Sequence, residues 1–152
     1  MFNLCKFGSN LYVLYIGEAD HECENLRERT MSIATLRFRQ FPCIEDMVED
    51  LLQTDEPDVF EATVVVFGPE SRVVPVELCW IRTTFHPGIR QFAPTCVGLY
   101  TDKPGDMLRC RELGCDALLE YPTSDECFYS VLYQAFMFQY YDRWVLECLR
   151  PQ

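Results

Sequence analysis

The sequence predicts one α/β domain, a doubly wound parallel sheet of five strands with helices on both faces. Short apolar runs typical of buried strands alternate strictly with segments of helical periodicity, five of each. The linkers are short, and no repeat or low-complexity tract interrupts this order. With 152 residues, 49% of them hydrophobic, the chain is long enough to bury one core without disulfides. We therefore expect a single domain over residues 1–152.

The first third of the chain predicts a strand, a helix and a second strand. Residues 11–16 (LYVLYI) form a continuous apolar run that ends at Gly17, which indicates a buried strand. Residues 19–31 are polar with a thin apolar stripe, and we expect an exposed helix there. Residues 34–38 alternate between apolar and polar side chains, a pattern typical of a strand near the sheet edge.

The middle of the chain predicts a helix on each side of the most apolar strand. Residues 44–52 place their apolar side chains on one helical face, with acidic residues opposite. Residues 62–67 (ATVVVF) are apolar and β-branched, and Gly-Pro follows them, so both faces of this strand should be buried. A helix over 75–85 begins at Pro75, a favoured first helical residue, and brings Leu78 and Ile81 onto one face.

The last third predicts two strands and two helices. Residues 95–100 (TCVGLY) and 117–119 have strand character, and residues 104–113 form a short helix that Gly114 can cap. Residues 123–126 (TSDE) resemble a capping box, and they open a long final helix over about 124–149. This helix has a candidate core stripe of four residues: Phe128, Leu132, Ala135 and Phe136.

The charge and the cysteines limit the possible partners and cofactors. A net charge of −11 disfavours direct binding to nucleic acid or anionic membranes and favours a neutral or basic protein partner. The nine cysteines are odd in number and show no zinc-site spacing, so we expect reduced thiols, with Cys79, Cys96 and Cys115 in apolar segments, and no metal or other cofactor. No export signal or membrane span is recognisable, which predicts a cytoplasmic protein.

Residues 114–122 (GCDALLEYP), followed by TSDECFYSVLYQAF, resemble the closing segment of a response-regulator receiver domain. That family has a Gly-Ala-Asp-type turn, a fifth strand, a Lys-Pro pair and a last helix. The resemblance covers residues 10–140 and implies the strand order 2-1-3-4-5. The same topology also fits flavodoxin-like proteins.

The resemblance implies a phosphorylation site that this chain lacks. Receivers use two acids after the first strand and an Asp after the third to bind Mg²⁺, and that Asp accepts the phosphoryl group. Here the acid pair corresponds to Gly17 and Glu18, and the acceptor corresponds to Phe67 or Gly68. Neither Phe67 nor Gly68 can carry phosphate.

The remaining receiver positions are also altered. The switch hydroxyl corresponds to Leu99, although Thr101 follows two residues later. The aromatic switch position corresponds to Leu118, and the Lys before the proline corresponds to Tyr121. The resemblance is therefore to a pseudo-receiver, a receiver scaffold without the phosphorylation groups.

Two other kinds of site have weaker support. Glu18, Glu70 and Asp102 all follow strands, and three carboxylates suffice for a cation, but solvated loop acids explain them equally well. A catalytic Cys–His pair would need His21 or His86, and chance proximity to nine thiols would account for it. We expect no enzymatic activity.

The final helix is the best candidate for a protein interface. Its aromatic and methionine side chains extend beyond the core stripe, and such residues are enriched at binding hot spots. The interface candidates are Tyr129, Tyr133, Met137, Tyr140, Tyr141 and Trp144. They fit a homodimer or a heteromeric complex equally well.

Three hypotheses follow. The first is a phosphorylation-independent signalling domain that acts by binding protein. The alternative is a flavodoxin-like small-molecule binder or enzyme whose pocket, at the carboxyl edge of the sheet, contains Gly17, Gly68 and Tyr100. The third is an adaptor or subunit in which the fold serves only to present the last helix.

Overall fold

A computed structural model describes residues 11–33, 36–52, 62–69, 73–84 and 95–149. Strands and helices alternate along these residues in the predicted order. The elements are β1 (Leu11–Ile16), α1 (His21–Met31), β2 (Leu36–Phe41), α2 (Ile44–Leu52), β3 (Ala62–Phe67), α3 (Pro75–Thr84), β4 (Thr95–Tyr100), α4 (Asp106–Leu113), β5 (Ala117–Glu120) and α5 (Asp125–Leu149).

Within the described residues the five strands form one parallel sheet in the order β2-β1-β3-β4-β5. This confirms the predicted fold class and strand order. All the carboxyl ends of parallel strands lie at the same edge of the sheet, so the segments after β1, β3, β4 and β5 meet there.

Each face of the sheet has its own apolar core. Val13 and Tyr15 of β1 point to the face covered by α1 and α5, whereas Leu14 and Ile16 point to the face covered by α2 and α3. Residues 64–67 of β3 are almost fully buried, as the sequence predicts for a central parallel strand.

Helix α5 packs through the predicted stripe. Phe128, Leu132, Ala135 and Phe136 are all at most 3% exposed and belong to the core on the α1 side. Burial of each phenylalanine contributes about 2 to 3 kcal/mol to folding by the transfer of apolar surface from water. Arg29 of α1 also forms an ion pair with Asp125, with Nε and Oδ1 2.8 Å apart.

Several element boundaries differ from the prediction. Strand β2 covers Leu36–Phe41 rather than 34–38, because it pairs with β1 along its whole length from Leu11↔Leu36 to Ile16↔Phe41. Residues 34 and 35 lie outside the described residues. The alternating pattern ends before the strand does, since backbone pairing continues through Arg39 and Gln40.

Capping moves the starts of two helices. Helix α1 begins at His21 rather than 19, because Asp20 is its N-cap and its Oδ1 accepts a 2.9 Å hydrogen bond from Cys23 N. Helix α4 begins at Asp106 rather than 104, because residues 104 and 105 form a turn in which Gly105 has a left-handed φ of 84°.

The last helix also starts differently from the predicted capping box. Ser124, not Thr123, is at its N-terminus, because Ser124 Oγ accepts a 3.2 Å hydrogen bond from Cys127 N. The Thr123 hydroxyl instead donates to Glu120 O at 2.8 Å, which closes the turn after β5.

The described cysteines differ in exposure. None of them is in a disulfide, and Cys96 is buried. Cys115 is half-buried. Cys79 is exposed, contrary to its apolar sequence context, because the buried face of α3 carries Leu78 and Ile81 instead. Among the described residues, no helix has the length and apolarity needed to cross a bilayer.

Candidate functional site

A cleft of about 390 Å³ lies at the carboxyl edge of the sheet. Its walls include Gly17 and Glu18 after β1, Gly68 and Pro69 after β3, and the start of α2. In a receiver, this is the edge where the metal and the phospho-acceptor would lie. The predicted Gly17 and Gly68 therefore do meet in one cleft, whereas Tyr100 is not part of its wall.

Gly17 has a backbone conformation that a side chain would strain. Its φ of 145° is in the region that favours glycine, and a Cβ there would lie 3.2 Å from Tyr15 Cε1. Its N–H donates to Phe41 O at 2.9 Å, and its carbonyl accepts a hydrogen bond from Gln40 Nε2. The backbone at this position is tied to β2, so an acidic residue would not fit here without strain.

The two candidate acceptor positions have different surroundings. Phe67 is 2% exposed and packs in the core on the α2 and α3 side. Gly68 lies in the cleft wall, and its N–H donates to Ile16 O at 2.9 Å. Of the two positions, only Gly68 is part of the cleft wall.

Tyr15 occupies the space that a side chain at position 68 would need. A Cβ on Gly68 would lie 2.5 Å from Tyr15 Oη and 2.9 Å from Tyr15 Cζ. These distances are shorter than any van der Waals contact between such atoms. The Tyr15 phenol therefore occupies the place of a Cβ at position 68, and the glycine is what allows the phenol to lie there.

The Tyr15 phenol stays neutral at physiological pH. Burial raises its pKa most, and the charges of Asp20 and Glu22 act in the same direction. Its ring is 1% exposed and lies 6.3 Å, centroid to centroid, from the Phe38 ring. It is held by packing on the α1 side of the sheet.

The switch positions after β4 are also committed to other contacts. Leu99 is fully buried in the core beside α5. The Thr101 hydroxyl donates to Asp106 Oδ2 at 3.0 Å, and Thr101 N donates to the same oxygen at 2.6 Å. Arg109 Nε donates to Asp106 Oδ1 at 3.0 Å. Thr101 therefore anchors the start of α4.

The hydrogen bonds to Asp106 keep this carboxylate ionised. Burial works to raise its pKa, but the hydrogen bonds from Thr101 and Arg109 outweigh burial, and the pKa is lowered. The anchor of α4 is thus a charged group with three donors.

The last two of the predicted receiver positions, Leu118 and Tyr121, lie in β5 and just after it. Leu118 is half-buried within β5. Tyr121 is half-buried, its peptide bond to Pro122 is cis, and its N–H donates to Tyr100 O at 2.7 Å. The Tyr121 phenol lies near enough to Tyr15 to raise the pKa of Tyr15 further. A tyrosine thus stands at the position that the resemblance assigns to the receiver lysine.

The charge of the cleft is unfavourable for phosphate. Glu18, Asp20 and Glu77 line it, and its described wall contains no Lys, Arg or His. Among the described residues, no three His, Cys, Asp or Glu side chains are close enough together to hold a metal ion. Of the suggested cation ligands, Glu18 and Asp102 are exposed and Glu70 lies outside the described residues.

The interface candidates on α5 divide into two groups. Tyr129, Tyr133 and Met137 are half-buried and pack against the core on the α1 side. The Tyr129 hydroxyl donates to Arg29 O at 3.3 Å and lies 3.4 Å from Ser32 Oγ, so it ties α5 to α1. The side chains of Tyr140, Tyr141 and Trp144 lie outside the described residues.

Sequence reasoning missed Tyr15 and Asp106. Tyr15 is part of an apolar strand, and only its polar hydroxyl, near the carboxyl end, distinguishes it from a core residue. Asp106 is the third residue of the predicted helix over 104–113, and an acid just after Pro-Gly is typical of a helix start. Both roles depend on contacts with other elements.

Comparison with solved structures places this geometry in a known fold. The signal receiver domain of an HD domain-containing protein from Pseudomonas fluorescens Pf-5 is similar at a TM-score of 0.67 and 16% identity, over 90% of this chain and 93% of that one. The signal receiver domain of a signal transduction histidine kinase from Syntrophus aciditrophicus is similar at 0.60 and 15%, over 83% and 89%.

A third solved structure, of a full-length protein, gives the same result. FixJ from B. japonicum is similar at a TM-score of 0.62 and 14% identity, over 87% of this chain and 60% of that one. No protein-family model and no curated protein matches the chain. At these identities the likeness shows the fold, and the described chain has the receiver fold.

Proposed function

We propose that this chain is a receiver-like signalling domain that works without phosphorylation, by binding another protein. The observation that carries the proposal is the Tyr15 hydroxyl, 2.5 Å from the Cβ position of Gly68. The acceptor is lost, and its space is filled by a packed side chain. Restoring phosphorylation would therefore need more than one substitution.

The rest of the cleft supports the same proposal. Phosphoryl transfer needs positive charge around the developing phosphate. This edge instead presents three carboxylates, and a tyrosine stands where the receiver lysine would be. We infer that the domain has no phosphotransfer activity and is not an enzyme of another kind.

The test is exposure to a small-molecule phosphodonor. The full chain is incubated with acetyl phosphate and Mg²⁺ beside an active receiver, and the intact mass is measured before and after hydroxylamine treatment. We expect no phosphoryl adduct on this chain or on Gly68→Asp, because Tyr15 blocks position 68. A hydroxylamine-labile adduct on the wild-type chain would overturn the proposal.

Protein binding is the proposed mode of action. The net charge of −11 favours a partner with a neutral or basic surface and disfavours nucleic acid and anionic membranes. Helix α5 has 25 residues and is therefore about 37 Å long, and the four-residue core stripe lies in its first half, up to Phe136. We propose that the part of α5 after Met137 binds the partner or a second copy of the chain.

The alternative function is small-molecule binding in the cleft. Its volume of about 390 Å³ is within the range of ligand sites, and Gly17 and Gly68 are part of its wall. Because the described charged side chains in the wall are all acidic, a cationic or neutral ligand fits better than a phosphorylated one. Native mass spectrometry of the purified chain tests this alternative, which predicts a mass excess that disappears on denaturation.

A further inference from the structure

Two cysteines meet at the end of α4. Gly114 has a left-handed φ of 87°, and its N–H donates to Arg111 O at 3.0 Å. This is the geometry in which helices end on a glycine, and it brings the residue four before the glycine against the residue just after it. Here those two residues are Cys110 and Cys115.

Gly98 of β4 shows how close the two sulfur atoms are. A Cβ placed on Gly98 would lie 3.1 Å from Cys115 Sγ and 3.2 Å from Cys110 Sγ. Because both sulfur atoms lie so close to the Cβ position of Gly98, the distance between the two sulfur atoms cannot exceed the sum of these two distances. Rotation about the cysteine side-chain bonds can bring the two sulfur atoms to bonding distance, and Gly98, which has no Cβ, leaves space for this movement.

The two thiols differ in access to solvent. Cys110 is 1% exposed, and its Sγ donates to Leu99 O at 3.6 Å. Burial raises the pKa of the Cys110 thiol; Asp106 adds to this and Arg109 opposes it. Cys115 is half-buried, in the exposed turn between α4 and β5. An oxidant in solution therefore reaches Cys115 first, and Cys110 lies behind it.

A metal site is the competing use of clustered cysteines. Cys96 lies on the same strand as Gly98, but among the described residues no three potential ligands have positions that could hold a metal ion. A pair of thiols without a third ligand is suited to disulfide chemistry instead.

We propose that Cys110 and Cys115 form a reversible redox site in which a hydroperoxide is the oxidant. The Cys115 thiolate attacks a peroxide oxygen and the O–O bond breaks. The sulfur loses two electrons and becomes a sulfenic acid, and the leaving oxygen takes a proton to give water or an alcohol. The Cys110 thiolate then attacks the sulfenic sulfur. The S–S bond forms as the S–O bond breaks, and the departing hydroxide takes up the proton that Cys110 lost and leaves as water. A dithiol reductant reverses the reaction.

The disulfide would fasten α4 to the turn that leads into β5. Helix α4 carries two exposed apolar side chains, Met107 at 38% and Leu108 at 58%. Oxidation would therefore hold the helix that presents this small apolar surface in one position against the sheet.

The test is peptide mapping of the full chain after oxidation. The reduced protein is titrated with hydrogen peroxide, the remaining thiols are alkylated, and linked peptides are identified by mass spectrometry. We expect a Cys110–Cys115 link in the wild-type chain, reversible with dithiothreitol. The same link should form in Cys43→Ser, which removes an exposed thiol elsewhere.

Two variants separate the steps. Cys115→Ser should abolish the link, and Cys110→Ala should accumulate a sulfenic acid on Cys115 that dimedone traps. The wild-type map decides the question even if a variant folds poorly. Peroxide treatment that leaves Cys110 alkylated as a thiol, while Cys115 is overoxidised or linked to another cysteine, would overturn the proposal.

Discussion

Tyr15 and Gly68 form a complementary pair in which each residue constrains the other. The phenol needs the absence of a Cβ at position 68, and the glycine is needed because the phenol is held by the core on the α1 side. Extra atoms inserted at a packed contact of this kind typically lower the free energy of unfolding by about 1 to 3 kcal/mol.

A double-mutant cycle measures this pairing. Gly68→Ala should lower the free energy of unfolding by about 1 to 3 kcal/mol, because its methyl group would overlap the Tyr15 hydroxyl. The same change in a Tyr15→Phe background should cost less, because the hydroxyl is gone. Urea unfolding of the four proteins gives the coupling energy, and strict additivity would contradict the contact.

Gly17 is constrained by backbone conformation as well as by space. Gly17→Ala should destabilise the chain by about 1 to 2 kcal/mol, because its φ of 145° is unfavourable for any residue with a Cβ. Gly105→Ala is a control at another positive φ, 84°, where nothing lies within 4 Å of the Cβ position. Thermal unfolding should show that Gly17→Ala loses more stability than Gly105→Ala. An equal loss of stability in the two variants would mean that contact with Tyr15 Cε1 adds nothing at position 17.

Asp106 should make stability dependent on acid pH. Its pKa is lower in the folded chain than in the unfolded chain, so the ionised form favours folding. The stabilisation is fully present above the ordinary Asp pKa of about 4 and is lost as the pH falls through the folded pKa. Asp106→Asn should cost about 1 to 2 kcal/mol at pH 7.

The difference between wild type and Asp106→Asn should shrink as the pH falls below about 4. Urea unfolding at a series of pH values measures this change. Asp102→Asn is a suitable control, because Asp102 is exposed after the same strand. A constant difference across the series would contradict a role for the Asp106 charge.

At the scale of elements, local patterns were sufficient where packing follows periodicity. Residues 12–16 of β1, residues 64–67 of β3 and the four-residue stripe of α5 are all buried as predicted. The patterns failed at boundaries, because the end of β2 depends on pairing with β1 and the start of α1 depends on the Asp20 side chain. These are contacts between residues, and hydropathy does not encode them.

Helix α5 should have separable roles in folding and in association. Deleting residues 138–152 leaves the stripe that ends at Phe136, so the free energy of unfolding should change little. We expect the deletion to abolish self-association or partner binding, measured by size-exclusion chromatography with light scattering and by pull-down.

A core substitution in the same helix provides the comparison. Phe136→Ala should cost about 3 to 5 kcal/mol of stability, because it leaves a cavity between α5 and the sheet. If the deletion gives a chain of unchanged oligomeric state and unchanged partners, the proposed role of the end of α5 is wrong.

For the whole molecule, fold and function were not equally predictable. Strict alternation of strands and helices is a property of the whole sequence, and it predicted the parallel sheet. The strand order came from the resemblance of residues 114–122 and the final helix to receiver domains. The candidate site depends on which side chains meet at one edge. The sequence showed that Phe67 and Gly68 cannot accept phosphate, but the blocking position of Tyr15 became visible only in three dimensions.

The measurement that tests the central claim most directly is a beryllofluoride titration followed by NMR. Beryllofluoride with Mg²⁺ mimics an acyl phosphate on a receiver aspartate, and amide chemical shifts report binding at the cleft. The blocked acceptor position predicts no saturable shift changes for Gly17, Gly68 or Thr101. Saturable, Mg²⁺-dependent changes at these residues would show that the site still binds a phosphoryl group and would contradict the account.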